Sequence, residues 1–190
     1  MNQQEDDIQI EKTLQGDTMA FALLIEKYQK MAFTLAFNIL LNREDAEEAA
    51  QDAFLKAFSA LRTFKREAKF STWLYRIVVN TSLNKGKRKK ISTITLEGVN
   101  MQAHISFPDE ALSACHLQDQ KRMIQESMLS LKEDERLVIT LYYLNELNTS
   151  EVAKVSGLSQ SNVKVLLHRS RQKLATKLTE ILKEETKSLL

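Results

Sequence analysis

The sequence is short of the residues that staple or break a chain. A single cysteine, Cys115, in 190 residues rules out an internal disulfide and suits a reducing compartment. One proline, Pro108, and four glycines leave long stretches free of helix breakers. No apolar run reaches the ~20 residues that a membrane-spanning helix requires. The N-terminus, MNQQEDDIQI, is polar and acidic without a signal-peptide pattern, so the chain is expected in the cytoplasm. Three histidines (His104, His116 and His168) are too scattered for zinc spacing, and Cys115–His116 fits a plain linker better than a metal site. There is no Gly-rich phosphate loop and no Ser–His–Asp arrangement in a plausible context. No catalytic residue, metal, cofactor or small-molecule substrate is therefore expected, and the protein does not read as an enzyme.

What is present favours helix. With 43% hydrophobic and 27% charged residues, the chain can build real cores inside charged helices, enough for one ordinary domain or two small ones. Net charge is only +2, but it is unevenly spread. Residues 44–52 carry five acids and no base, whereas 152–179 carry six Lys or Arg and no acid. Two surfaces of opposite sign imply two electrostatic partners. The acids Glu44, Asp45, Glu47, Glu48 and Asp52 read better as an exposed helix start complementing the helix dipole, or as a contact for a basic partner, than as a metal site.

Hydrophobic periodicity divides the chain into an all-α pattern of two small helical domains joined by a flexible linker. A first helix covers about 6–15, with Ile10 and Leu14 on one side. Gly16 breaks it, and Asp17 caps a second helix to about Leu41 that carries Phe21, Leu24, Ile25, Tyr28, Ala32, Leu35, Ala36 and Ile39 at helical period. Asn42 caps a third, to about Leu61, burying Ala46, Ala50, Ala53, Phe54 and Ala57. A basic segment follows, and Ser71 is expected to cap the fourth helix. The first domain spans 1–90. Residues 91–116, with Gly98 and Pro108, form the linker, and 117–190 form the second domain. There a helix to Leu131 uses Ile124 and Met128, and another from about Lys132 uses Leu137, Val138, Leu141, Tyr142 and Leu144.

The end of the chain has the shape of a helix-turn-helix. A short helix starts at a Ser/Thr cap near Thr149 and buries Val152 and Ala153. Gly157 permits the turn, Leu158 plugs the core, and Ser159 caps a longer second helix. That helix keeps Val163, Leu167, Ser170 and Leu174 inward and leaves Ser161, Lys164, Val165, His168, Arg169 and Arg171 for a partner. An acid-free helical unit of this kind suits a phosphate array.

The stretch 69–90, KFSTWLYRIVVNTSLNKGKRKK, holds the only Trp and ends in five basic residues within six positions. Leu74, Ile77 and Val78 read as core, while Trp73 fits either the core or the DNA edge. Thr72, Arg76, Asn80 and Asn84 form a second, polar face suited to base edges, and Lys87 and Arg88 suit backbone phosphates.

Together the phrases GDTMAFALLIEKYQ (16–29), DAEEAAQDAFLKAF (45–58), FSTWLYRIVVN (70–80) and VKVLLHRSRQKL (163–174) resemble the extracytoplasmic-function (ECF) sigma factors of bacterial RNA polymerase. The resemblance covers nearly the whole chain and is weakest in the linker. It implies that Glu48, Gln51, Asp52, Phe54 and Lys56 grip the clamp helices of core RNA polymerase, which also offers its flap. Residues 64–70, with Phe64 and Phe70, are implied to trap a flipped base of the −10 element. Thr72, Trp73, Arg76, Asn80 and Asn84, with Lys87 and Arg88, are implied to read and open the adjacent DNA. Ser161, Lys164, Val165, His168, Arg169 and Arg171 are implied to contact the −35 element. An anti-sigma factor, often membrane-anchored, is a further implied partner. Asn84 stands where the family often has an acid, and Leu166 where many members carry Arg, so promoter preference does not carry over. The function expected is a sigma factor that binds core polymerase, recognises both promoter elements and helps melt DNA. The alternatives are a free-standing helix-turn-helix regulator and, lower still, a nuclease, which would need carboxylates on the basic surface rather than away from it.

Overall fold

The computed structural model describes residues 3–95 and 115–188, and among these every regular element is helical. The chain divides into two compact units. The N-terminal unit contains α1 (Gln3–Leu14), α2 (Thr18–Leu40), α3 (Arg43–Ala60) and α4 (Phe70–Thr95), with a 3-10 turn at Leu61–Thr63. The C-terminal unit contains α5 (Cys115–Leu129), α6 (Glu133–Ile139), a π turn (Thr140–Leu144), α7 (Thr149–Ser156) and α8 (Gln160–Ser188).

Local chemistry sets most of the boundaries in the first unit. Gly16 adopts φ 104°, open to glycine at no steric cost, between α1 and α2. The Asp17 carboxylate accepts from the Met19 and Ala20 amides at 2.9 and 3.3 Å, and Asn42 Oδ1 accepts from the Asp45 amide at 2.8 Å, so both expected caps form. Ser71 does not cap α4. The helix begins at Phe70, Ser71 is buried in its first turn, and the Trp73 amide bonds to the Lys69 carbonyl. α4 also runs on to Thr95, and α5 starts at Cys115, so both ends of the expected linker are helical. The rest of that segment, with Gly98, His104 and Pro108, lies outside the described residues.

α2, α3 and α4 pack mutually, and α1 lies across α2. α3 turns Ala46, Ala49, Ala50, Ala53 and Ala57 inward, all buried, which lets two larger helices approach closely. Their side chains supply the bulk: Leu24, Tyr28 and Leu35 from α2, and Phe70, Leu74, Tyr75, Val78 and Val79 from α4. Tyr28 meets Phe70 and Tyr75 with centroids at 5.7 and 6.4 Å. Its hydroxyl donates to the buried Asp6 carboxylate at 2.5 Å, Lys27 donates to the other oxygen, and α1 is thereby tied to α2. Burial, then the Asp6 bond and charge, push the Tyr28 phenol far above its ordinary value. Ile10 is buried as expected, but Leu14 is not: it stands 36% exposed at the end of α1.

In the second unit Met128, Leu131, Leu137, Val138, Leu141, Val152, Val163, Leu167 and Ile181 make the core. Ile124, expected inside, is 56% exposed. The helix expected through Leu144 ends early. At Thr140 it widens into a π turn closed by the Asn145 amide on the Thr140 carbonyl, which changes the phase so that Leu141 stays buried while Tyr143 and Leu144 swing out. The buried Glu135 receives Lys173 Nζ on both oxygens at 2.7 and 2.8 Å and the Lys132 amide at 2.9 Å, joining α6 to α8. Burial alone would raise this carboxyl; the Lys173 and Lys132 donors outweigh it and hold the group below the ordinary glutamate range.

Two outcomes are expected. Ala53→Leu should overpack the α2–α3–α4 contact and lower stability by about 1–3 kcal/mol, read from urea unfolding. A carboxyl lowered on folding stabilises above its unfolded-state value, and this is lost as pH falls through the folded-state value. Glu135→Gln should therefore flatten the acid limb of thermal stability against pH; an unchanged limb would remove Glu135 as its source.

Candidate nucleic-acid interface

In the N-terminal unit the exposed face of α4 is a single stripe. Successive turns place Trp73, Arg76, Asn80, Asn84, Lys87 and Arg88 along one side of the helix. Trp73 is half-buried and the other five are exposed. Thr72 is not part of it. The structure buries it at 4% exposure, and its hydroxyl has no hydrogen-bond partner among the described residues. The expected polar face thus loses Thr72 because the helix phase points it at the core.

At the head of this stripe sits an aromatic cluster. Phe64, half-buried, lies 5.2 Å from Trp73 and 5.8 Å from Phe70, and Phe70 lies 5.7 Å from Trp73. Phe70 itself is 1% exposed, so it forms the floor of the cluster rather than an open contact. The segment between Phe64 and Phe70 contains Arg66 at φ 59°, a left-handed conformation that is costly for a side chain with a Cβ, and its guanidinium is paired with Glu11 of α1. A flat ring face beside amides and cations can stack a base, read an edge and neutralise phosphate within one patch.

α3 presents a different surface. Glu48, Gln51, Asp52 and Lys56 are exposed on it, while Phe54 is 6% exposed and belongs to the core. A residue that the sequence left unassigned stands among them: Leu55, 67% exposed, one turn beyond Gln51 and Asp52. Its signal was an apolar residue out of phase with the alanine stripe. Glu48 and the neighbouring Asp45 are also paired. Lys85 Nζ is 2.7 Å from Glu48 and 3.9 Å from Asp45, and Lys89 pairs with Asp45. Lys56 Nζ donates to Thr81 Oγ1 at 3.2 Å. The basic end of α4 is thus split: Lys85 and Lys89 turn to α3, while Lys87 and Arg88 stay on the open stripe.

In the C-terminal unit α7 and α8 form the expected helix-turn-helix. Gly157 takes φ 75° in the turn. The cap of α7 is Asn148 rather than Thr149. Its Oδ1 accepts from the Ser150 and Glu151 amides at 3.0 and 3.1 Å, and Glu151 accepts the Asn148 amide in return at 2.9 Å. Ser159 Oγ accepts from the Asn162 amide at 3.3 Å and caps α8. Gln160 bonds to Thr149 at 3.1 Å, linking the starts of the two helices. Val163, Leu167 and Ser170 are buried, and Ser161, Lys164, Val165, His168 and Arg169 are exposed. Arg171 is exposed but engaged. Its guanidinium lies over the Tyr142 and Tyr143 rings at 5.6 Å from each centroid, and Nε donates to the Tyr143 hydroxyl at 2.7 Å. Nothing local in the sequence marks this pairing, because 28 residues separate the partners.

Among the described residues no group of three His, Cys, Asp or Glu side chains gathers as a metal site, and no helix is long and apolar enough to cross a membrane.

Comparison with known proteins agrees with this arrangement. The family described as Sigma-70 region 2 matches residues 24–90, and Sigma-70, region 4 matches residues 121–174. The chain is 31% identical to the ECF RNA polymerase sigma factor SigW of Bacillus subtilis, over 90% of this chain and 96% of the relative. It is 30% identical to the RNA polymerase sigma-H factor of Pseudomonas aeruginosa, over 97% and 99%. The solved structure of the sigma factor RpoE in complex with the anti-sigma factor NepR, from Bartonella quintana, shares the fold, with a TM-score of 0.70 at 21% identity over 84% of this chain and 96% of that one. Both regions follow one another in a single chain, as in a polymerase specificity subunit and not a free-standing regulator. The chain belongs to the ECF sigma factors of bacterial RNA polymerase.

Proposed function

We propose that this sigma factor works in the cytoplasm, has no catalysis of its own, and divides its contacts among three faces. Residues 1–90 bind core polymerase and the −10 element, 117–190 bind the −35 element, and 91–116 connect them. The acidic face of α3, with Glu48, Gln51, Asp52 and Leu55, is the surface for the polymerase clamp helices. Basic groups of the polymerase would compete there with Lys85, whose pairs with Glu48 and Asp45 already show that this face holds cations. Phe64 and Trp73, floored by Phe70, receive a flipped base at the −10 element, and Arg76, Asn80, Asn84, Lys87 and Arg88 follow the adjacent DNA. A base leaving the stack costs a few kcal/mol, and an aromatic and polar pocket returns part of that. On α8, Ser161, Lys164, Val165, His168 and Arg169 face the −35 major groove. Arg171 is reassigned from phosphate to holding the tyrosine pair, because its guanidinium is already engaged. The polymerase flap is the partner of the C-terminal unit. An anti-sigma factor is a further partner, a reading supported by likeness to a sigma factor solved with one.

The observation that carries this reading is the continuous open stripe of α4 running from the aromatic cluster to Lys87 and Arg88. Co-purification with core polymerase and promoter-dependent run-off transcription test it; run-off from no genomic promoter would sink it. The two arginines of α8 should also separate. Arg169→Ala should reduce the slope of log affinity against log salt by about 0.9, the share of one phosphate contact. Arg171→Ala should leave that slope unchanged and lower the stability of the C-terminal unit by about 0.5–1 kcal/mol, read by thermal melting.

A further inference from the structure

The DNA-facing half of α8 is polar and cationic with one exception. Val165 is 45% exposed, and among the described residues of α8 before Leu182 it is the sole large apolar side chain left in water. Nothing in its own unit explains it. A β-branched residue is a weaker helix former than Ala, Lys or Gln, and an exposed one buries no surface in return.

Its position is specific. Helical rotation sets Ser161, Val165 and His168 on one central stripe, one turn apart, with Lys164 on one flank and Arg169 on the other. All five are exposed. The flanking cations are long and can reach outward to phosphates on either wall of a groove. Val165 is short and confined to one rotamer in a helix, so it can meet only what lies directly beneath the helix. The floor of the major groove carries a single apolar group, the C5 methyl of thymine.

We propose that Val165 is a specificity-determining residue that reads a thymine methyl in the −35 element. This rests on the assignment of α8 to that element. Ser161 and His168, one turn to either side, supply polar contacts to neighbouring base edges. Lys164 and Arg169 hold the helix in register without selecting sequence. The promoter class is thereby narrowed to one with a T·A pair at a fixed place under the first two turns of α8.

The test uses holoenzyme reconstituted from core RNA polymerase and the full chain. Promoters with a randomised −35 element are selected with the wild-type chain and with Val165→Ser, which is exposed and should melt at the same temperature. The wild type should enrich thymine at one position, and Val165→Ser should lose that preference while retaining the others. Replacing that thymine with deoxyuridine, which removes only the methyl, should weaken wild-type binding about fourfold, the factor for one buried carbon. The same replacement should leave Val165→Ser unaffected. Val165→Ile, which keeps the branched surface, should keep the thymine preference. A thymine preference indifferent to residue 165, or a methyl that can be removed without loss, overturns the proposal. A library that shows no −35 preference at all, with −10 dependence intact, overturns the parent assignment of α8 as well.

Discussion

The N-terminal unit depends on the alanine face of α3. Five buried alanines let α2 and α4 come close enough for Tyr28 to meet Phe70 and Tyr75, and those contacts fix the rotation of α4 about its axis. Rotation is what matters for function. With Phe70, Leu74, Tyr75, Val78 and Val79 turned inward, Trp73, Arg76, Asn80, Asn84, Lys87 and Arg88 have to face out. One residue of phase separates Thr72, which is buried, from Trp73, which lies at the edge. α3 gives the core five alanines and Phe54, and its opposite side, with Glu48, Gln51, Asp52 and Leu55, stays exposed.

That outer surface and the end of α4 are electrostatically linked. Lys85 and Lys89 neutralise Asp45 and Glu48, so the acidic run and the basic run evident in the sequence are partly one another's counterions. The pairs are partly exposed, and each contributes little to stability by itself. Their consequence is directional. They draw two cations away from the open stripe of α4 and onto α3.

The C-terminal unit solves a related problem with different means. Its longest helix is α8, and α6 holds that helix while the short α7 is set by its Asn148 cap and the Gly157 turn. Glu135 on Lys173 makes one tie between α6 and α8; Tyr142 and Tyr143 on Arg171 make another from the π turn. Each lies on the flank of α8 and leaves Ser161, Val165 and His168 uncovered.

Much of this was legible in the residues alone. The caps at Asp17, Asn42 and Ser159, the turns at Gly16 and Gly157, and the inward Val163, Leu167 and Ser170 all follow from local hydrogen bonding and a 3.6-residue period. So do the helix-turn-helix and the two-part all-α plan. Periodicity is a short-range signal, and it failed where partners are distant in the chain. It could not place Thr72 and Phe70 inside, because a helix face is defined only by what packs on it. It could not find Lys85 with Glu48 or Arg171 with Tyr143, whose partners arrive from other helices. Nor could it foresee the π turn that leaves Leu144 out while Leu141 stays in. Local energetics, then, decided which segments are helices and where they stop. The tertiary structure decided which side of each helix is surface, because only the packing of α2, α3 and α4, and of α6 with α8, determines which groups lose water and which keep it.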